Sequence, residues 1–216
     1  MLTLLEEVVL LTIDPRTGRL RGGREFSVQY ALAGALLFDL ALAGRIDTDI
    51  DTITVVDGTP TGHPLQDGLL ADLASGAVPR NVRECIEQVF RERKSLETET
   101  LKQLEARGII RHETDKLLWV IDRHRFPLVD GAPRQLVTVR LAQAILGDEI
   151  PDVRDIMLVS LANACGLLNL VLAPEQLEAR APWIQTISNI ETIARNVGSA
   201  ITALMENIAL GIGRPV

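Results

Sequence analysis

Cysteine, histidine and lysine are all scarce in this chain: two, three and three residues among 216. Cys85 and Cys165 stand outside any CxxC or Cys/His spacing, which excludes a disulfide framework and predicts two reduced, partly buried thiols in a cytosolic protein. His63, His112 and His124 are scattered, and none has a second ligand at helical spacing, so no metal centre is expected. The GxSxG, HExxH, Walker and dinucleotide-binding fingerprints are absent as well. No constellation of acid, base and nucleophile can be placed, so the chain is not read as an enzyme and no cofactor is called for. The acids of GDEIPDVRD (147–155) fit a solvated loop that caps the following helix, with Asp152 as a first-turn residue. A basic leader segment is also missing. Met1 runs straight into LTLLEEVVLLTID, with Glu6 and Glu7 inside the apolar stretch, which is not the pattern of a signal peptide. The protein is expected to stay in the cytoplasm.

Apolar, helix-forming sequence is what the chain has in quantity. The stretch 27–46, SVQYALAGALLFDLALAGRI, carries one charge between Tyr30 and Ala43, at Asp39, and Gly44 closes it. A membrane span needs about 20 predominantly apolar residues, and an Asp two-thirds of the way along argues against one. A central helix enclosed by others is the better reading. Thr3, with Glu6 in the capping-box position, starts a first helix that ends at DPRTG (14–18). Helices are expected over 66–74, 80–93, 96–107, 135–146 and 190–210, and Pro182 is expected to interrupt the helix that restarts at Pro174. Ile46, Ile50, Ile53 and Val55, with a turn signal at Asp57–Gly58, predict a short strand or hairpin. In IIRHETDKLLWVIDRHRFPL, the runs 109–112 and 116–122 are expected to pair about a polar turn at 113–115. The expected fold is mainly α: a single globular domain over 1–216, with a hydrophobic helix-bundle core and one or two small β-hairpins.

The net charge of −7 and pI near 5.0 argue against a general polyanion binder, so any affinity for phosphate must be local. Three stretches (14–25, 80–94 and 123–140) hold 13 of the 22 basic residues. If the fold joins them, they make a patch for an anionic surface. The order helix, helix, hairpin over 80–128 also permits a winged helix. Its second helix carries Glu97, Glu99 and Glu105 against Lys102, which is wrong for phosphate, so no nucleic acid is expected.

Several stretches then occur in a familiar order: LTLLEEVVLLTID, LAGALLFDLALAGRI, the PTG at 60–62, LEARGII, and the LLWVID…PL hairpin. Together they resemble the Golgi phosphoprotein 3 family over essentially the whole chain. The resemblance implies a helical domain with a protruding β-hairpin and a peripheral membrane protein that recognises phosphatidylinositol 4-phosphate. It implies a basic headgroup pocket, with the hairpin supporting membrane contact and homo-oligomerisation. Counted back from the central helix, the family's pocket tryptophan falls on Arg24 and its first arginine on Ala33. Counted back from LEARGII, two further arginines fall on Lys94 and Glu97. Lys94 keeps charge and position, Arg24 supplies charge without a ring, and Ala33 and Glu97 offer a phosphate nothing. A weaker, less specific attraction to anionic lipid on the cytoplasmic face of a membrane is the form this implies. Trp119, Phe126 and Leu128 are the hairpin's candidate contact residues. Alternation puts Trp119 on the inner face with Ile121, and Phe126, beside Pro127, is expected to be exposed. The alternative is a soluble, oligomerising protein-interaction module that uses the 109–130 hairpin.

Overall fold

The computed structural model describes residues 1–22, 26–49, 51–117 and 121–210. Its first helix, α1 (Leu4–Thr12), starts as the local sequence dictates. The Thr3 hydroxyl accepts from the Glu6 amide at 3.1 Å, and the Glu6 carboxylate accepts from the Thr3 amide at 2.9 Å. After a turn at 14–18 comes α2 (Ser27–Leu42), in which only Gln29 is exposed between Ser27 and Leu40. A short antiparallel hairpin follows, β1 (Ile46–Asp49) and β2 (Thr52–Val55), then α3 (Pro64–Ser75), α4 (Val82–Glu92) and α5 (Leu96–Ala106). A second hairpin, β3 (Glu113–Leu117) and β4 (Ile121–Arg125), precedes α6 (Ala132–Leu146), α7 (Val153–Ala164), α8 (Pro174–Ser188) and α9 (Thr192–Ala209).

The architecture is mainly α, built around α2. Helices α1, α3, α4, α5, α7 and α9 all pack on it, which is why it is apolar on almost every side. Its closest approach to α7 and α9 runs past Gly34. A Cβ there would lie 2.7 Å from Leu161 Cδ1 and 2.9 Å from Ile201 Cδ1. Both thiols are buried, and burial pushes Cys85 up to about 12 and Cys165 further, so neither is a nucleophile.

Two expectations are corrected. The second hairpin pairs 113–117 with 121–125, so Glu113, Thr114 and Asp115 lie in a strand rather than in the turn. In this register Glu113 is the backbone partner of Arg125 and Thr114 that of His124, so the strands take in the polar residues that the apolar runs had left to the turn. Pro182 does not interrupt α8, which continues to Ser188. The residue is exposed, and the carbonyl it cannot serve belongs to Glu178, also exposed, where water can replace the missing bond.

Charged side chains hold α1 against the bundle. Glu6 accepts from Arg107 Nη1, just past α5, at 2.6 and 2.7 Å. Glu7 meets Arg140 of α6 at 2.8 Å and Arg154 of α7 at 3.1 Å. Asp39, the one charge inside α2, accepts from the Leu4 and Leu5 amides at 2.8 and 3.3 Å, so it caps the start of α1 from outside. Burial raises its pKa to about 6 despite those bonds. Because the folded form holds this proton more tightly than the unfolded chain, the group's contribution to stability falls as pH rises from about 4 to about 6. Measured by urea unfolding across that range, wild type should lose about 3 kcal/mol relative to Asp39→Asn, in which the titration is abolished. A pH-independent difference between the two would contradict the assignment.

Candidate functional site

Three chain segments meet at a cavity of about 290 Å³, on the exposed edge of the first turns of α2. From α2 and its cap come Phe26, Gln29 and Leu32. Phe90 comes from the last turns of α4, Arg93 and Lys94 from the link to α5, and Leu96 and Glu97 from the first turn of α5. The link is short because α4 stops at Arg93, whose amide still bonds the Val89 carbonyl at 2.9 Å while its own carbonyl accepts from the Leu96 amide at 3.1 Å. Lys94 and Glu97 are thereby held a helical turn apart at one rim.

The apolar wall is aromatic. Phe90 stacks on Tyr30 with centroids 4.4 Å apart and 6° between the planes, and Phe26 meets Phe90 edge-on at 5.6 Å. Phe26 carries φ of 62°, the one positive value at a non-glycine residue among the described residues. Such a backbone costs roughly 1–2 kcal/mol, and here it turns the ring into the cavity at the N-terminus of α2.

The charges are unevenly engaged. Arg93 is paired with Asp72 of α3, and Gly68 makes room for it, since a Cβ there would sit 3.2 Å from Nη1. Lys94 is exposed, and Glu97 is half-buried. Neither makes an ion pair or hydrogen bond to a described residue. Burial raises the Glu97 carboxyl above its usual range.

The structure brings Lys94 and Glu97 to one cavity, while Arg24 lies outside the described residues, as does Trp119. Ala33 is wholly buried, and Gln29, one turn earlier on α2, faces the cavity instead. Phe126 is half-buried rather than exposed. Its amide donates to the Gly18 carbonyl at 2.6 Å, and its ring stacks on His112 at 5.0 Å. Gly18 has φ of +66°, and a Cβ there would lie 2.7 Å from the Pro127 nitrogen, so the turn and the hairpin base touch directly. Leu128 is also half-buried and bridges Ile110. The basic stretches divide. Arg21 and Arg134 gather with Arg16 about Asp14, whereas Arg140 points inward to Glu7 and Asp155. Phe26, Gln29 and Phe90 were missed as site residues. Their signal was scarcity: Phe, Trp and Tyr number seven in the chain, and three of them cluster here.

Residues 4–204 match the family model for Golgi phosphoprotein 3 (GPP34). Among curated proteins, the chain is similar to the vacuolar protein sorting-associated protein 74 of Eremothecium gossypii, at 28% identity over 166 residues. The alignment covers 67% of this chain and 49% of that protein, so the chain spans about half the length of the curated relative it matches.

The aromatic wall has its own optical probe, because Tyr30 is the one tyrosine in the chain. Burial, and then Glu87, raise its pKa above 10.0. Absorbance titration of the native protein should therefore show a phenol that ionises later than free tyrosine. Phe90→Ala, which uncovers one face of the ring, should bring the midpoint back towards the ordinary value. An unchanged midpoint in that variant would mean the stack does not shield the phenol.

Proposed function

The chain belongs to the Golgi phosphoprotein 3 family, and on that basis we propose that it is a non-enzymatic, peripheral membrane-binding protein that takes a lipid headgroup phosphate into the cavity between α2 and the α4–α5 link. The observation that carries this reading is Lys94, an exposed cation at the rim of an aromatic-walled cavity, without a partner among the described residues. Counted back from LEARGII, it falls where the family resemblance implies a basic pocket residue. Among the described residues no helix is long and apolar enough to cross a membrane, so contact would be made at the surface. Phosphatidylinositol 4-phosphate is the headgroup that the family resemblance suggests. Ala33 and Glu97 remove two of its basic contacts, and a single lysine with Arg24 nearby in sequence favours weaker, salt-sensitive binding to anionic lipid.

Self-association through the second hairpin is a further reading. Strands β3 and β4 pair with one another alone among the described strands, leaving their outer edges open to another copy.

Sedimentation with vesicles tests the main reading. Binding to anionic vesicles should weaken as salt rises, and charge reversal of Arg24 and Lys94 to Glu should lower it roughly tenfold or more. Indifference to both changes would overturn it. Sedimentation velocity tests the second reading, which a monomer at every concentration would exclude.

A further inference from the structure

The same cavity holds a negative charge that phosphate binding does not use. From this we infer that its ligand is a phosphate ester bearing a primary ammonium group, with the phosphate at Lys94 and the ammonium between Glu97 and the Phe26–Phe90 wall. This rests on the cavity being the headgroup site.

Charge balance is the first argument. Among the described residues Arg93 and Asp72 cancel each other, which leaves Lys94 and Glu97 as the lining's uncompensated charges, one of each sign. A lining with one charge of each sign suits a ligand whose phosphate and ammonium groups can meet them separately. A headgroup carrying further phosphates would bring added negative charge against Glu97.

The state of Glu97 is the second argument. Glu97 is half-buried, lines the cavity with Leu96 and Phe90, and makes no contact with Lys94 close enough to count as an ion pair. Burial that raises its pKa marks a charge poorly served by its surroundings, which a bound cation would satisfy.

The aromatic wall is the third. Phenyl rings attract cations through their quadrupole, and a carboxylate beside two such rings is the chemistry that seats an ammonium. A primary ammonium donates hydrogen bonds to a carboxylate and an amide oxygen, which a quaternary one cannot do. Glu97 and Gln29 supply those two acceptors. At about 290 Å³ the cavity is at the small end of ligand sites, the scale of a headgroup rather than an acyl chain.

Such a ligand is available as the headgroup of phosphatidylethanolamine or as free phosphoethanolamine. The test compares the full chain on vesicles of phosphatidylcholine alone and of phosphatidylcholine doped with phosphatidylethanolamine, phosphatidylglycerol or phosphatidylinositol 4-phosphate. Phosphoethanolamine and inorganic phosphate are titrated separately by calorimetry. Wild type should prefer the ethanolamine vesicles over the glycerol ones by about tenfold. Glu97→Gln should abolish that preference by weakening the former and strengthening the latter. Lys94→Gln should weaken both, and matching thermal melts would show that the variants fold. Anionic vesicle binding without an ethanolamine preference, or equal strengthening on every lipid in Glu97→Gln, overturns the inference and leaves the membrane reading standing. If no vesicle binds but phosphoethanolamine does, in a Glu97-dependent way, the membrane reading fails and the ammonium–phosphate site stands with a free ligand. If neither binds, both fall.

Discussion

Asp39 is the charge on which the arrangement of the bundle turns. A carboxylate placed inside an otherwise apolar helix would be strongly destabilising unless it were satisfied, and the first two amides of α1 satisfy it. Those amides are themselves orphans that a buried helix start must satisfy. The bond therefore resolves two problems at once, and it does so only if the N-terminus of α1 sits against the last third of α2. Once α1 is there, Glu6 and Glu7 face Arg107, Arg140 and Arg154, and through them α5, α6 and α7 take their places.

The cavity follows from that arrangement. Its walls are the first turn of α2 and the first turn of α5, whose far ends are fixed against α1 by Asp39 and by the Arg107–Glu6 pair. The ionic clamps and the cavity are thus at opposite ends of the same two helices. This separates what holds the fold from what is free to bind. At the cavity itself Arg93 is drawn to Asp72, and Lys94 and Glu97 are left without an ion-pair partner among the described residues.

Much of this was legible in the sequence where the cause was local. The Thr3–Glu6 box and the capping of α7 by the acidic loop before it depend on residues within a few positions of one another, and the unbroken apolar run of α2 was enough to show that it would be enclosed. Pairings that depend on distant partners were harder. The register of the second hairpin pairs 113–117 with 121–125, a partnership across the strands that apolar runs alone could not reveal. Lys94 and Glu97 were singled out by the family comparison, but Phe26 and Gln29 join them only through the packing of α2 against α4. A Phe at φ of 62° has no signature in a sequence. Ala33 shows the limit of counting along a helix: it lies on the same face as Gln29, one turn further into the bundle, where it is wholly buried, and Gln29 is the residue that reaches the cavity.

The central claim is that the cavity between α2 and the α4–α5 link is the surface this protein turns to a membrane. It is tested most directly by amide chemical-shift mapping of the labelled protein titrated with lipid bicelles. The account predicts that the largest changes fall on Phe26, Gln29, Phe90 and residues 93–97. Changes confined to the 109–130 hairpin, with those amides unmoved, would contradict it.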